Sequence, residues 1–208
     1  MTVHEPATLL TDFLLAALAS WLAWRLPAGP VAARWWGRAL GLTALSALVG
    51  GCYHGFAPNF SPTVAGPWWL ATLLVICLLS AVMALSLLHE LRPSVRQREW
   101  TVLIAVKLAL FAIAASALQK FAVVIIDYGL TMLAWAGAAL LLRRAWRGWI
   151  LAAVGLSAGA ALVQQLRWAP SRFLNHNDLY HLIQALALVC FHAAGRKFTV
   201  APLTPAGP

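Results

Sequence analysis

The sequence predicts an all-α membrane protein, a bundle of seven transmembrane helices. Hydrophobic residues make up 62% of the 208 residues and charged residues only 10%, with a mean hydropathy of +0.79. A soluble domain carries about a quarter charged residues, so a soluble core has no room for this much apolar surface. We expect one transmembrane domain over residues 1–198 and a short Pro-rich tail over residues 199–208.

Seven apolar stretches have the length of roughly 20 residues that a helix needs to cross a bilayer. They cover residues 7–26, 37–56, 67–89, 100–119, 121–142, 148–166 and 177–195. Pro, Gly or charged residues separate each stretch from the next, as expected of loops. No basic segment precedes the first stretch, which favours a retained helix over a cleaved signal peptide.

The basic residues predict how these helices are oriented. Eleven of the fifteen Lys and Arg residues lie in loops on one side of the predicted bundle and three on the other, while Lys107 lies inside the fourth stretch. Cytoplasmic loops are enriched in Lys and Arg, so we expect the N-terminus outside and the C-terminus inside. We expect Lys107 to extend toward the inner surface. The same distribution argues against nucleic-acid binding, because no single basic face results.

This orientation places most intramembrane polar residues at one depth. His54 ends the second stretch and His181 lies near the start of the seventh, so both belong to the outer leaflet. Asp12 and Asp127 lie at a similar depth, the latter about 9 Å into the fifth stretch at 1.5 Å per residue. Ionisable residues in a membrane are costly and mark functional sites by default. We therefore predict a polar pocket that opens to the outer face.

Imidazoles beside carboxylates suit zinc, which His nitrogens bind while a fourth position holds water. The predicted ligands are His54, His181 and His176. Bound zinc lowers the pKa of its water to about 7, and Asp127, followed by Tyr128, is the predicted base for the water proton. A helix N-cap at Asn175 or Asn177 would leave His176 in the loop before the helix, where it is freer to turn inward.

The arrangement resembles the CREST superfamily of seven-span membrane hydrolases, which includes alkaline ceramidases and progestin and adipoQ receptors. The second-span His of that family matches Gly51-Cys52-Tyr53-His54-Gly55, and its HxxxH at the start of the seventh span matches Asn177-Asp178-Leu179-Tyr180-His181. The resemblance implies a zinc-dependent hydrolase of a lipid-like amide or ester, in a divergent bacterial-type branch. It further implies a bacterial plasma-membrane protein whose site faces outward.

Three positions depart from the pattern of that family. Its Ser four residues before the second-span His is Gly50 here, and Ser46 lies one turn further away. The first His of its HxxxH is Asn177 here, with His176 adjacent. Its Asp at the outer start of the third span has no counterpart, because residues 57–70 contain no acid, and Asp127 is the predicted replacement.

Structural interpretations stand beside these functional ones. His54 and His181 also suit interhelical hydrogen bonds, and Asp178 suits the first turn of a helix, where the dipole favours an acid. Asp12 fits either pocket lining or a structural contact. The same pocket without catalysis would serve a seven-helix receptor or transporter, so two classes of function remain. The expected partners are membrane lipid and a lipid-like substrate.

Overall fold

The chain folds into seven α-helices in the computed structural model, which describes residues 1–26, 29–91, 96–171 and 174–198. The predicted all-α class is confirmed, and the described ranges contain no β-strand. The predicted tail lies outside those ranges. Two of the basic loop residues on which the predicted orientation rests also lie outside them, Arg92 and Arg172. The elements are α1 (Pro6–Arg25), α2 (Val31–Phe56), a 3-10 turn (Ala57–Asn59), α3 (Pro62–Leu91), α4 (Gln97–Leu118), α5 (Phe121–Leu141), α6 (Arg147–Leu166) and α7 (His176–Gly195).

Two helices, α2 and α3, begin well before the residue that the sequence predicts, by 6 residues (37 − 31) and 5 residues (67 − 62). α2 starts at Val31, directly after Pro30, and α3 starts at Pro62. Proline is well suited to the first helical position, where the missing N–H would have no intrahelical partner. α3 then continues through Pro67, which removes one hydrogen bond of the helix. The prediction that the break extends to Pro67 was therefore wrong.

Six helices, α1 to α6, are long and apolar enough to cross a membrane, judged over the described residues. α7 has a similar length of 20 residues but falls outside this group. Its lower apolarity comes from polar side chains in its first turns: His176, Asn177, Asp178, His181 and Gln184. Most of these residues line a cavity inside the bundle, so the polarity of α7 faces other helices.

The helices pack as a ring of six with one helix outside it. Neighbours around the ring are α1, α2, α3, α5, α6 and α7, and α7 closes it against α1. α4 packs on the outside against α3 and α5, and Ala115 is its one buried residue. The ring is the framework of the candidate site, because its centre is bounded by six helices.

Aromatic side chains fill the end of the ring opposite His54. The cluster consists of Trp36, Trp135, Trp146, Phe191 and Phe198. The Trp36 indole donates to the Phe191 carbonyl at 2.8 Å, and a Cβ on Gly195 would lie 2.5 Å from the Trp36 ring. Gly195 therefore permits this close packing. Trp36, near a span end in sequence, is thus a core residue and not part of an interfacial belt.

An ion pair ties the peripheral helix α4 to the ring. The Lys107 ammonium contacts the carboxylate of Asp127, which is fully buried, and donates to Ser80 Oγ at 2.9 Å. Ser80 also shares a 2.8 Å hydrogen bond with Thr131. Lys107 thus points to α5, and the prediction that it extends to the inner surface was wrong. A carboxylate within reach offsets the cost of holding the charge inside the bundle.

Breaking this ion pair from one side should destabilise the protein. Removal of one partner of a buried pair costs about 3–5 kcal/mol because it leaves an uncompensated charge. We expect Asp127→Asn and Lys107→Met each to lower the midpoint of thermal unfolding in detergent, and the double variant to unfold closer to wild type. Lys120→Met, in an exposed turn, is the control. A double variant as unstable as the sum of both single variants would contradict this role.

Candidate functional site

The six-helix ring surrounds a cavity of about 760 Å³. Much of its wall is apolar, with contributions from Leu15, Ile76, Val124, Met132 and Leu188. Polar groups gather where α2 ends and α7 begins: Asp12, His54, Gln164, His176, Asn177, Tyr180, His181 and Gln184 all line the cavity. A mostly apolar cavity with a few convergent polar groups is typical of a ligand site.

Asp178 joins α7 to α1 at the polar end of the cavity. Its Oδ1 accepts a 2.8 Å hydrogen bond from the Thr8 hydroxyl, and its Oδ2 accepts one of the same length from the Asn175 backbone N–H. Asn175 in turn caps the helix by accepting from the N–H groups of Asn177 and Asp178. This reciprocal capping box satisfies the start of α7 and engages both Asp178 oxygens.

Asp12 and His181 form a second contact between α1 and α7. His181 Nε2 lies 3.2 Å from Asp12 Oδ1, and His181 Nδ1 lies 3.0 Å from Thr11 Oγ1. Both residues are buried, with exposures of 4% for Asp12 and 8% for His181. Asp12 lines the cavity, and its Oδ2 is buried without a hydrogen-bond partner among the described residues. This oxygen therefore has free acceptor capacity.

The hydrogen bonds of Thr11 define the proton content of this pair. The Thr11 hydroxyl donates its one hydrogen to the Thr8 carbonyl at 3.0 Å, so it accepts from His181 Nδ1–H. The bond between His181 Nε2 and Asp12 Oδ1 then needs one further proton, carried by either residue. Together the two side chains then hold two protons, one on His181 Nδ1 and one between Nε2 and Asp12, and carry no net charge.

Gly51 makes room for Asp12. A Cβ at position 51 would lie 2.6 Å from the Asp12 Cβ and 3.3 Å from the Phe13 ring. Real Cβ atoms do not approach each other this closely, so any larger residue would move α1 away from α2. The Gly51 that precedes His54 in the sequence therefore positions a carboxylate from another helix.

His54 and His176 complete the set of cavity imidazoles. His54 Nδ1 lies 3.3 Å from Glu5 Oε2, and the backbone N–H of His4 donates to the Gly55 carbonyl at 3.0 Å. The segment before α1 thus lies against the end of α2. His176 is the first residue of α7 and lines the cavity. All three predicted ligands face one space.

The three predicted zinc ligands are not gathered into one ligand group in the described structure. Within the described part of the chain, no three His, Cys, Asp or Glu side chains stand close enough together to hold a metal. His181 gives the physical reason, because Thr11 and Asp12 engage both of its ring nitrogens. Zinc ligation would need at least one of these hydrogen bonds to be exchanged.

The other predicted site residues fall in three environments. Tyr128 and Ser46 line the cavity, although the Ser46 hydroxyl donates to the Thr43 carbonyl at 2.9 Å. Asn177 lines it as well and accepts from Gln164 Nε2 at 2.8 Å, which joins α6 to α7. Asp127 stands apart, since its carboxylate contacts Lys107 and it is not among the described lining residues.

Sequence reasoning missed several residues that the structure brings to this site: Glu5, Thr8, Thr11, Tyr180 and Gln184. Thr8, Thr11 and Asp12 follow the i, i+3, i+4 spacing of one helix face. Asp178 and His181 follow the same spacing on α7. This shared periodicity of polar residues was the available signal for the contact between the two helices.

The fold and site define a helical bundle with an internal, partly polar cavity. The sequence matches a family described as a family of unknown function (DUF6962) over residues 7–200. The chain belongs to that family. Comparison with curated proteins and with solved structures found no match.

Replacement of Gly51 should displace Asp12 and disturb the site. We expect Gly51→Ala to destabilise the protein by about 1–3 kcal/mol, the usual cost of overpacking, with a lower midpoint of thermal unfolding in detergent. Gly41→Ala is the matched control, because it makes the same change in the same helix and nothing lies within 4 Å of the new Cβ. If both variants unfold at the wild-type temperature, close packing at Gly51 does not position Asp12.

Proposed function

We propose that the protein is a membrane-embedded hydrolase of a lipid-like amide or ester. The observation that carries this proposal is the Asp12–His181 pair at one end of a largely apolar cavity, with Asp12 Oδ2 buried and unpaired among the described residues. The apolar wall suits an acyl chain, and the polar end suits the carbonyl to be cleaved. This division between binding and chemistry is what a lipid hydrolase needs.

Asp12 takes the role of base in this proposal. A carboxylate near a water molecule accepts its proton as the oxygen attacks a carbonyl carbon, and returns that proton to the leaving amine or alcohol oxygen as the C–N or C–O bond breaks. Asp12 lines the cavity, and its Oδ2 has free acceptor capacity. His181 holds Asp12 Oδ1 and so orients the carboxylate. Asp127, which the sequence favoured, has Lys107 as its partner and lies off the cavity wall.

Zinc remains part of the proposal on the resemblance alone. His54, His176 and His181 would hold it, and it would supply a water of lowered pKa. The placement of His181 between Thr11 and Asp12 gives no support to this ligand set. The roles of Asp12 and His181 described above do not depend on the metal.

A ligand-binding receptor or transporter is the second candidate. One observation favours it: Thr11 and Asp12 engage both His181 nitrogens, as a structural contact between helices would. In that case a molecule would occupy the same cavity without being cleaved. Formation of product separates the two candidates.

We also propose that all seven helices cross a bacterial plasma membrane, with the N-terminus and the site outside. α7 packs in the ring between α1 and α6, both long and apolar enough to cross. Basic residues concentrate at the opposite end of the bundle, as the positive-inside rule requires of the cytoplasmic side.

Cysteine labelling tests this orientation. In a chain whose three native Cys residues are replaced by Ala, Ser61→Cys should react with a membrane-impermeant maleimide in intact cells. Arg144→Cys should react only after the membrane is opened. Both positions are exposed, between α2 and α3 and between α5 and α6. The reverse pattern would contradict the orientation, and labelling of both in intact cells would contradict seven crossings.

Hydrolysis should depend on Asp12. Purified protein should release fatty acid from an N-acyl amide or acyl ester lipid, measured by mass spectrometry. Asp12→Asn should lower the rate by about 100-fold or more, the usual contribution of a general base. Glu99→Gln makes the same chemical change at an exposed carboxylate paired with Arg96 and should keep the wild-type rate. Wild type that releases no fatty acid, with or without added zinc, would contradict the hydrolase.

Metal content of the same preparations tests zinc separately. Near-stoichiometric zinc in wild type that is lost in His54→Ala and His181→Ala, but kept in His89→Ala, would support the ligand set. His89 is a suitable control because it stacks on Trp35 near the other end of the bundle. Wild type that holds no metal after zinc supplementation would contradict it.

A further inference from the structure

Most of the unpaired polar atoms on the described cavity wall are hydrogen-bond acceptors; the exception is the Ser157 hydroxyl, which can donate as well as accept. Asp12 Oδ2, Gln164 Oε1 and Gln184 Oε1 are buried, line the cavity and have no hydrogen-bond partner among the described residues. Each is an acceptor. The orientation of Gln164 follows from its other atom, since Nε2 donates to Asn177. A buried acceptor left unpaired is costly, so a ligand that fits this wall brings hydrogen-bond donors.

The charges around these acceptors exclude an anionic ligand head. No Lys or Arg is found among the described lining residues. The Asp12–His181 pair carries no net charge. Two further carboxylates belong to this end of the bundle: Glu5 contacts His54, and Asp178 accepts a hydrogen bond from Thr8. A phosphate or carboxylate head would therefore meet acceptors and negative charge without a fixed cation. A protonated amine finds acceptors and a favourable field on this wall.

The volume and the apolar wall of the cavity suit one alkyl chain attached to this head group. Its volume of about 760 Å³ lies within the range of about 300–1,000 Å³ typical of sites for one small molecule. Apolar residues of α3, α5 and α6, among them Ile76, Leu133 and Val154, continue the wall away from the polar end. One alkyl chain extending from the amine matches this wall.

Resting on the function proposed above, we propose that the cavity selects single-chain amphiphiles whose head donates hydrogen bonds and carries no negative charge, with a primary amine preferred. The observation that carries this proposal is the buried Asp12 carboxylate, 4% exposed, on a cavity wall that also bears two unpaired amide oxygens and no Lys or Arg among its described residues. The amine donates to acceptors of this wall, and the chain occupies the apolar part of the cavity. Carboxylate and phosphate heads of equal chain length are rejected.

Competition against one photoreactive probe tests the selectivity. The full chain in zwitterionic lipid nanodiscs is crosslinked to a long-chain primary amine with a photoreactive group in the chain, and labelled peptides are identified by mass spectrometry. Unlabelled amine, alcohol, carboxylate and phosphate of one chain length then compete. We expect label in cavity helices and competition by the amine about tenfold stronger than by the carboxylate or phosphate, the size of effect from one charge-assisted hydrogen bond.

Two variants test whether these acceptors cause the selectivity. Asp12→Asn should abolish the preference for the amine over the carboxylate. Gln184→Leu removes a different acceptor without touching the Asp12–His181 pair and should weaken competition by the amine about threefold to tenfold. Gln97→Leu, at the other end of the bundle beside His89, should leave it unchanged.

The outcomes separate this inference from the proposed function. Competition by the carboxylate or phosphate that equals or exceeds that of the amine would overturn the selectivity, while lipid binding in the cavity would stand. Unchanged selectivity in both Asp12→Asn and Gln184→Leu would also overturn it. A probe that labels no cavity peptide and yields to no competitor would overturn both the selectivity and the proposed lipid site.

Discussion

The contact between α1 and α7 is the constraint on which the candidate site depends. Thr8 and Asp12, one turn apart on α1, reach Asp178 and His181, nearly one turn apart on α7. Helices in a membrane gain little from apolar burial against each other, so close packing and polar contacts decide how they pair. Here the two polar contacts set the register of the helices and also deliver a carboxylate to the cavity wall. Gly51 permits this arrangement, because a residue without a Cβ leaves space for Asp12 between α1 and α2.

The bundle uses the same residue types for two different purposes. Asp127 sits beside the fixed cation of Lys107 at the contact of α3, α4 and α5, where it anchors a helix that otherwise buries only Ala115. Asp12 sits beside an imidazole and a cavity. Each carboxylate has one buried oxygen without a hydrogen-bond partner among the described residues, but Asp12 lines the cavity whereas Asp127 is not among the described lining residues. The partner of each carboxylate and its position in the bundle, and not its burial alone, distinguish a structural residue from a residue of the candidate site.

Sequence reasoning placed the polar residues at the correct end of the bundle but not always on the correct side of their helices. His54, His181 and Asp12 meet one cavity as predicted. Asp127 lies on an almost uniformly apolar helix, so no periodicity showed that its side chain turns to α4. Its neighbour Tyr128, about 100° further around the helix, faces the cavity instead. Trp36 shows the same limit, since a span end in sequence does not show whether a side chain meets lipid or core.

By itself, the sequence determined the all-α class, the seven helices and most of their ends, because the length of an apolar stretch and the Pro, Gly and charged residues that interrupt it are local properties. Only the tertiary structure decided which helices are neighbours, that six form a ring while α4 lies outside it, and that Asp12 rather than Asp127 faces the cavity. These outcomes rest on contacts such as Thr8 with Asp178, which are 170 residues apart. The direction in which a side chain leaves an apolar helix depends on such partners, and no local pattern encodes them.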